Sequence, residues 1–370
     1  MTMLSGRALT RFRKALLAWF AQFQRDLPWR RTKDPYRIWL SEIMLQQTRV
    51  AAAIPYYQRF LEHFPDGKAL AEAPEGEVLR LWAGLGYYSR ARNLQRAAKQ
   101  IVAEHHSRFP EDLKKALALP GIGPYTAAAI LSIAYGKKLA VLDGNVARVL
   151  ARLQAMRGDL RINGRWTGLQ KSADTLLAPQ SPGDWNQAMM ELGATLCAPR
   201  SPQCLLCPVS EFCEARKLGL TDLIPEKRSK RATAEISLAA LVLVDPEGRT
   251  LLMPPPKSPA GAAISEGVAA LLSRLWHFPT IQVQRNAERE LRKFAGEFFS
   301  AAKRVPARWE ALAKVRHAVT YRQITVQPFR GEVKQLPRMP QAKFVALDNL
   351  SSVAISNLTR KIADRALKQA

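Results

Sequence analysis

Cysteine is scarce in this sequence of 370 residues: four are present, and all of them lie between Cys197 and Cys213. A large chain held together by disulfides would spread its cysteines more widely, so we exclude a disulfide framework and interpret Cys197, Cys204, Cys207 and Cys213 as one metal site. Their spacing, C-x6-C-x2-C-x5-C, suits either a tetrahedral zinc ion or a [4Fe–4S] cluster. Spacing alone does not choose between the two.

Long hydrophobic runs are also missing, although 47% of the residues are hydrophobic. No apolar stretch approaches the roughly 18 residues that a membrane-spanning helix requires, so no membrane partner is expected. The first residues include Arg7, Arg11 and Arg13 and show no apolar run ahead of a small-residue cleavage site, so secretion is not expected either. We predict a soluble cytoplasmic protein with about two domains, each able to bury its own core.

Acidic residues are few beside basic ones: 31 Asp and Glu stand against 56 Lys and Arg, a net charge of +25. Such a surplus attracts a polyanion by long-range steering and by the release of its counterions. Nucleic acid is therefore the first candidate partner, and association with the bacterial nucleoid is expected. The alternative is that the charge serves solubility alone.

The chain divides by its patterns into two domains. Residues 1–220 space their apolar residues with the helix period, which predicts an all-α domain that includes the cysteine loop 197–213. Residues 221–234 are polar and basic with one proline, which indicates a linker. Residues 235–370 mix short β-compatible runs with helical segments, so a smaller α+β domain is expected there.

A helix, a tight turn and a second helix are predicted in the middle of the all-α domain. Pro120 ends the first helical pattern, Pro124 opens the second and Gly136 closes it. Gly121 and Gly123 leave the backbone N–H groups of the turn uncovered, near the positive end of the second helix. We predict a phosphate anchor that binds DNA without reading its sequence; an ordinary turn between helices is the alternative.

This hairpin motif, the downstream Asp143 and the cysteine spacing together resemble the endonuclease III superfamily of DNA glycosylases. Within it, the chain is similar to the MutY-type adenine DNA glycosylases in four motifs: LPWR at 27–30, WLSEIMLQQT at 39–48, GLGYYSRARNL at 84–94 and WNQAMMELG at 185–193. The resemblance implies a helix-hairpin-helix glycosylase, a monomer, that removes adenine mispaired with 8-oxoguanine or guanine in double-stranded DNA after the nucleotide is flipped out. It also favours a [4Fe–4S] cluster over zinc.

Two carboxyl groups match the catalytic roles that the resemblance implies. Hydrolysis of a glycosidic bond needs an acid for the leaving base and a negative charge beside the cationic sugar. Glu42 stands among apolar neighbours, where desolvation raises the pKa of a carboxyl group and keeps a proton for adenine N7. Asp143 precedes a helical run whose positive end favours the carboxylate that stabilises an oxocarbenium-like sugar. The alternatives are a solvated helix face for Glu42 and a simple N-cap for Asp143.

Tyr125 occupies the hairpin position at which strand-cutting members of the superfamily carry a lysine. A Schiff base requires an amine, so we predict a monofunctional glycosylase in which Tyr125 supports the site through a hydrogen bond. The rival within enzymes is a bifunctional endonuclease III-like glycosylase/lyase. From a different class, the alternative is a non-catalytic iron–sulfur protein that binds DNA.

Further positions follow from the resemblance alone. It implies Arg30 and Gln187 beside the adenine pocket, Asn145 beside Asp143, and Gln47, Thr48 and Tyr87 on the side of the oxidised guanine. A ring such as Tyr87 that enters the stack replaces lost base stacking, worth about 1–3 kcal/mol. The alternatives are a simple phosphate contact for Arg30 and an exposed helix position for Gln47, while Tyr88 is expected in the core.

The second domain resembles a Nudix hydrolase that reads the oxidised guanine and has lost its catalytic helix. Residues 288–292 lack the acidic set that would hold Mg²⁺, so nucleotide hydrolysis is not expected. The guanine-reading loop of the family aligns with residues 319–321, where Thr320 keeps a hydroxyl that can bond a purine edge and Tyr321 replaces an imidazole. The alternative is that residues 319–326 form one half-buried strand.

Overall fold

The computed structural model describes residues 4–162, 164–226, 232–254, 275–299, 308–319, 321–339 and 341–368. The backbone contacts of the chain define two compact units. The first comprises Met1–Ala73 and Ser89–Ser229, and the second comprises Pro74–Tyr88 and Lys230–Ala370. The segment Pro74–Tyr88 thus groups with the second unit, although the sequence pattern assigns it to the all-α domain.

The first unit is helical, and no strand occurs among its described residues. Its helices are α1 Gly6–Phe23, α2 Pro35–Leu45, α3 Val50–His63, α4 Gly67–Glu72, α6 Ser89–Glu104, α7 Leu113–Leu117, α8 Pro124–Tyr135, α9 Gly144–Leu153, α10 Arg165–Leu176, α11 Pro182–Ala194 and α12 Glu214–Lys217. None of the helices in the described ranges is both long and apolar enough to cross a membrane. The predicted all-α class of this half is confirmed.

Local capping residues determine where several of these helices begin and end. Asp34, Asp112 and Asp143 accept backbone N–H groups at the starts of α2, α7 and α9. Pro124 opens α8 at a position whose missing N–H costs no helical hydrogen bond, and Gly136 ends α8 in the left-handed region at φ 66°. The ends of the predicted second hairpin helix are therefore confirmed.

Helix α8 lies at the centre of the first unit. Every residue from Thr126 to Ile133 is buried, as expected for a helix that is apolar on all sides. Helices α2 and α11 pack against α8, and α11 also packs against α9. This packing brings together Glu42 on α2, Tyr125 at the start of α8, Asp143 at the cap of α9 and Gln187 on α11.

The second unit contains a mixed sheet of seven strands within the described residues. The strands are β1 Ala234–Val244, β2 Arg249–Leu252, β3 Thr280–Gln282, β4 Glu310–Ala311, β5 Val315–Val319, β6 Arg322–Glu332 and β7 Lys343–Ala346. The order is β4-β6-β1-β2-β7, with β3 also paired to β1 and β5 to β6. Strands β1 and β6 run parallel from Ala234 opposite Arg322, and the other pairs are antiparallel.

Helices cover both faces of this sheet. Alternate residues of β1 point to opposite sides: Leu238 and Ala240 belong to the core that includes Ile362, whereas Ala239 belongs to the core that includes Leu291. Ile362 lies on helix α14, Asn357–Lys368, and Leu291 on helix α13, Ala287–Phe298. Helix α5, Glu75–Trp82, also belongs to this unit. The predicted α+β class of this domain is thus confirmed.

The segment that contains Tyr321 is a hairpin. Val319 pairs with Arg322, so β5 turns back into β6 at this point, and the alternative of one strand through residues 319–326 is wrong. The alternation of apolar and polar residues continues across so short a connection, which is why the pattern does not reveal the turn. Tyr321 is half-buried, whereas Thr320 lies outside the described residues.

Candidate active site

A cavity of about 590 Å³ lies in the first unit, with walls from α2, α8, α9 and α11. Eight of the site residues predicted from the sequence line it: Arg30, Glu42, Gln47, Thr48, Tyr125, Asp143, Asn145 and Gln187. The fold therefore brings Glu42 and Asp143, which are far apart in the sequence, to one cavity. A pocket of this size can enclose a small organic group such as a flipped nucleoside.

Glu42 is the more completely buried of the two carboxyl groups, with 7% of its surface exposed. Burial raises the pKa of Glu42 to about 7, and the nearby charge of Asp143 adds to this rise. The Tyr125 hydroxyl donates a hydrogen bond of 2.7 Å to Oε2 of Glu42, which opposes the rise without cancelling it. A solvated helix face is therefore excluded for Glu42, and desolvation acts in the predicted direction.

Asp143 caps helix α9 and faces the cavity at the same time. Its Oδ1 accepts the backbone N–H of Val146 at 2.7 Å, and its Oδ2 accepts the side-chain N–H of Asn145 at 3.1 Å. Burial raises the pKa of Asp143 above its usual value, and these hydrogen bonds, together with Arg148, oppose the rise. The sequence predicts that the start of α9 favours the charged form of Asp143, but it does not predict that Asp143 is desolvated. The hydrogen bonds at the helix start only partly offset the rise in pKa that this desolvation causes.

Tyr125 connects α8 to the acid. Besides the bond to Glu42, its hydroxyl oxygen lies 3.1 Å from Sδ of Met190. Burial, and then the charges of Glu42 and Asp143, raise the pKa of Tyr125 well above its usual value, so the phenol stays a neutral donor. Among the residues that the structure describes, no lysine lines the cavity. The site therefore offers no amine for a Schiff base.

Glu191 and Arg25 are cavity residues that the sequence analysis missed. The Glu191 carboxylate is 1% exposed and accepts hydrogen bonds from Arg25 Nε at 2.6 Å and from Arg30 Nη2 at 2.7 Å. Burial acts to raise the pKa of Glu191, but the two guanidinium groups outweigh it and lower the pKa to about 2. Glu191 lies four residues after Gln187, so helical spacing within the WNQAMMELG motif is the signal that would find it.

Arg30 lies in the cavity wall as predicted, but its guanidinium is held by this ion pair. It also donates to the Arg25 carbonyl at 3.1 Å and lies 5.2 Å from the centre of the Phe20 ring. Only 11% of the Arg30 side chain is exposed. A simple phosphate contact, the alternative weighed for Arg30, does not fit this burial.

Gln47 and Thr48 follow α2 in the turn that leads to α3. Gln47 is exposed and adopts φ 57°, so the alternative of an exposed helix position is wrong: the chain has already left the helix. Thr48 Oγ1 accepts a hydrogen bond of 3.3 Å from Arg90 Nη2. Arg90 Nη1 also donates to the carbonyls of Ile43 and Gln46, so this one side chain fixes the turn.

The hairpin turn has the open backbone that the sequence predicts. Gly121 adopts φ 80°, and a Cβ atom there would lie 2.8 Å from Cβ of Asn93. Gly123 has an ordinary φ of −97°, and a Cβ there would meet no atom within 4 Å. Within the described chain, neither glycine N–H has a hydrogen-bond partner. Two unpaired donors therefore lie next to the start of α8.

The four cysteines are partly exposed, and Cys197 and Cys213 contact Arg152 of helix α9. Arg148 Nε donates to the Cys197 carbonyl at 2.9 Å, and Arg152 Nη1 donates to the Cys197 sulfur at 3.2 Å. Burial, and then the charges of the other three thiols, raise the pKa of Cys207 to about 12. Across the described ranges, no group of three or more His, Cys, Asp or Glu is arranged to hold a metal ion.

The remaining predicted residues belong to the second unit. Tyr87 is 40% exposed, and Tyr88 is half-buried instead of lying in the core. The Tyr88 hydroxyl donates to the Ile355 carbonyl at 3.1 Å, and this hydrogen bond keeps the ring from packing wholly within an apolar core. The Tyr321 carbonyl accepts the N–H of Ala234 at 2.9 Å, and its ring centre lies 5.1 Å from the Arg322 guanidinium.

A helical unit with an open hairpin turn, and a cavity that joins a buried protonatable carboxyl group to a second one, define a DNA glycosylase of the helix-hairpin-helix class. Residues 40–163 match the family model described as the HhH-GPD superfamily base excision DNA repair protein. The human adenine DNA glycosylase is 35% identical over 96% of this chain and 73% of its own length. The chain therefore belongs to the adenine DNA glycosylases, enzymes of base excision repair.

Other similar proteins agree with this class. The adenine DNA glycosylase of Schizosaccharomyces pombe is 40% identical over 55% of this chain and 49% of its own length. The structure of a thermostable thymine-DNA glycosylase is 31% identical, with a TM-score of 0.53 over 57% of this chain and 97% of that one. A trapped endonuclease III–DNA covalent intermediate is 21% identical, with a TM-score of 0.50 over 59% and 100% of the chains, and shows the shared fold.

Proposed function

We propose that the chain hydrolyses the N-glycosidic bond of adenine paired with 8-oxoguanine or guanine in duplex DNA and leaves the strand intact. The observation that carries this proposal is the meeting of Glu42, with a pKa of about 7, and Asp143 at one cavity. An acid for the leaving base and a negative charge for the sugar are the two groups that the chemistry needs.

Glu42 supplies the acid. With a pKa of about 7 it holds a proton through much of the neutral range, and transfer of that proton to adenine N7 makes the base a better leaving group. Positioned proton transfer of this kind is worth about 10²–10⁴ in rate. Because the Tyr125 hydroxyl donates to Oε2, the transferable proton belongs on Oε1.

Asp143 supplies the negative charge. As the bond to adenine breaks, positive charge develops on the deoxyribose, and a carboxylate fixed nearby stabilises it. The hydrogen bonds from Val146 and Asn145 hold the carboxylate in place and favour its charged form. Water then adds to the sugar carbon and completes the hydrolysis.

The reaction ends with the base removed. Tyr125 stands where a strand-cutting enzyme needs an amine, and its raised pKa keeps it a neutral hydrogen-bond donor. Borohydride treatment of the enzyme with substrate DNA is therefore expected to trap no covalent adduct. Efficient trapping would instead support the bifunctional glycosylase/lyase.

The duplex is the partner that the surface features support. The net charge of +25 attracts the phosphate backbone, and the N–H groups of Gly121 and Gly123 offer a contact that is independent of sequence. The residues proposed to contact the oxidised guanine are Gln47 and Thr48 in the first unit and Tyr87 and Tyr321 in the second, with Thr320, which lies outside the described residues. Tyr321 lies beside the β5–β6 connection, a position from which side chains can reach a ligand.

We also propose that Cys197, Cys204, Cys207 and Cys213 hold a [4Fe–4S] cluster. A cluster binds each thiolate through a different iron, which suits four thiols close enough for the charges of three to act on Cys207. Arg152, which donates to the Cys197 sulfur, would offset the negative charge of a thiolate there. The bound cluster would fix residues 197–213 and so hold Arg200, Arg216 and Lys217 for phosphate contact.

The cluster is tested by its composition. Purified protein is expected to contain four irons and four acid-labile sulfides per chain, as the cluster formula requires, and Cys207→Ala is expected to lose both. Stoichiometric zinc without sulfide would contradict the proposal.

The substrate is tested by single-turnover excision on five duplexes. Four carry adenine opposite 8-oxoguanine, guanine, cytosine or thymine, and the fifth carries thymine opposite guanine. We expect excision of adenine opposite 8-oxoguanine and guanine and intact thymine in the fifth duplex. Tight binding without any excision would favour the non-catalytic DNA-binding protein, and removal of thymine would contradict the choice of base.

A further inference from the structure

The loop after helix α5 has an unusual backbone. Gly84, Gly86 and Tyr87 all have positive φ, at 110°, 72° and 48°. Glycine adopts such angles freely, whereas in a tyrosine the Cβ atom comes too close to the backbone at positive φ. A strained residue of this kind persists only where surrounding contacts fix the chain. One such contact is local, since Trp82 Nε1 donates to the Gly86 carbonyl at 3.2 Å.

Two further contacts come from the other end of the sequence, within the same unit. The Tyr88 hydroxyl donates to the Ile355 carbonyl at 3.1 Å, and Asn357 Nδ2 donates to the Gly84 carbonyl at 3.4 Å. The two bonds attach the loop on both sides of Tyr87. Tyr87 itself keeps 40% of its surface exposed.

The attachment point for Tyr88 is rigid. Ile355 is 2% exposed and belongs to the core that packs one face of the sheet. Its backbone pairs with Trp276, whose N–H donates to the Ala354 carbonyl at 3.0 Å. A carbonyl fixed in this way can define the position of the hydroxyl that bonds to it.

We propose that Tyr88 and Asn357 are positioning residues that hold the ring of Tyr87 ready to enter the base stack beside the lesion. This inference rests on the role given to Tyr87 in the proposed function and assigns the control of that role to residues 355–357. Without the two bonds, the loop relaxes toward ordinary φ values and the ring leaves its place in part of the population. Excision then slows in proportion to the population lost.

The test removes one hydroxyl and keeps the ring. Tyr88→Phe is compared with Tyr135→Phe, which loses a matched tyrosine hydroxyl bonded to the Phe109 carbonyl at 2.8 Å in the first unit. Excision of adenine opposite 8-oxoguanine is measured in single turnover, and a 2-aminopurine next to the lesion reports entry of the ring by its fluorescence. We expect Tyr88→Phe to slow excision by up to about fivefold and to reduce the fluorescence change, since one ordinary hydrogen bond shifts the ratio of the two populations by about that factor. Tyr135→Phe is expected to match the wild type in both.

Combination with Tyr87→Ala shows whether Tyr88 acts through Tyr87. We expect Tyr88→Phe to cause no additional loss when Tyr87 is already alanine, because residues that act through one contact are not additive. Asn357 is exposed, so its truncation should be tolerated. Asn357→Ala is expected to reduce the fluorescence change as Tyr88→Phe does.

The outcomes separate the two proposals. If Tyr87→Ala slows excision but Tyr88→Phe and Asn357→Ala both match the wild type, the positioning inference is overturned and the proposed function stands. A fully additive loss in the double variant overturns it as well. If Tyr87→Ala itself has no effect on excision, the role of Tyr87 in the proposed function fails together with the inference.

Discussion

Glu42 and Asp143 are carboxyl groups with different surroundings at the same cavity. Glu42 has a neutral phenol as a partner and little water, so burial dominates and raises its pKa to about 7. Asp143 has a backbone N–H at a helix start and an amide N–H, both of which favour the carboxylate. Different environments of this kind let one carboxyl group act as the acid while the other stabilises positive charge in the same site.

The pH dependence of excision reports the Glu42 proton. Because Glu42 must be protonated to act, the rate is expected to be level below about pH 7 for as long as Asp143 stays ionised, and to fall about tenfold for each further unit above it. Single-turnover excision between pH 5.5 and about 9 measures this profile. A rate that rises through pH 8 would rule out Glu42 as the acid.

The stability of the fold also depends on the protonation of Glu42, and it is expected to decrease as the pH rises. The pKa of Glu42 is higher in the folded protein, at about 7, than its ordinary value of 4.5, so its favourable contribution is complete below pH 4.5 and is lost as the pH rises through 7. At pH 8 the buried charge costs up to about 3 kcal/mol. Glu42→Gln removes the charge, and its amide oxygen still accepts the Tyr125 bond.

Thermal unfolding of Glu42→Gln is therefore expected to occur at a higher temperature than that of the wild type at pH 8. The two are expected to converge near pH 4.5, while the variant loses excision at both pH values. A variant less stable than the wild type at pH 8 would contradict burial as the cause of the raised pKa.

Among the elements, the hairpin before α8 contains two glycines, of which Gly121 is required by the fold and Gly123 is open for DNA binding. Gly121 sits at φ 80° with Asn93 directly behind it, whereas Gly123 has an ordinary φ and open space. Within the described residues, the N–H group of each glycine is unpaired. Substitution by alanine therefore has different consequences at two positions only two residues apart.

Gly121→Ala is expected to destabilise the first unit by at least about 1 kcal/mol, because a Cβ is strained at positive φ and would meet Asn93. Gly123→Ala is expected to unfold like the wild type and to bind every duplex more weakly, since the new methyl group blocks a phosphate. Thermal unfolding and duplex titration measure the two effects. Unchanged binding by Gly123→Ala would show that this turn is an ordinary connection between helices.

The sequence predicts elements whose signals are local. The ends of α8 and α9 follow from Pro124, Gly136 and Asp143, which act on their own backbone. The pairing of Glu191 with Arg25, and the place of residues 74–88 in the second unit, depend on partners distant in sequence. No local period encodes such contacts. The motif residues of the active site can be predicted because the family that the sequence resembles brings these motifs together at one site.

For the molecule as a whole, the net charge of +25 contrasts with the buried Glu42 and the partly buried Asp143 of the active site. The basic surface concerns encounter with DNA, and the buried groups concern chemistry. The two should therefore respond differently to salt. Screening and counterion release act on exposed charges and leave buried ones little changed.

Raising the salt concentration from about 50 to 200 mM is expected to weaken binding of matched and mismatched duplexes by similar, large factors. The single-turnover excision rate at saturating enzyme is expected to stay the same. Duplex titration and excision on one set of DNAs measure both. An excision rate that falls in parallel with affinity would show that surface charge takes part in the chemical step.

The convergence of Glu42 and Asp143 on one adenosine is tested most directly by single-turnover excision with Asp143→Asn on DNA that carries adenine opposite 8-oxoguanine. The asparagine keeps the size of the side chain and can still cap α9, so duplex affinity and thermal unfolding are expected to stay close to those of the wild type, while excision is abolished. Near-normal excision by this variant would contradict the account.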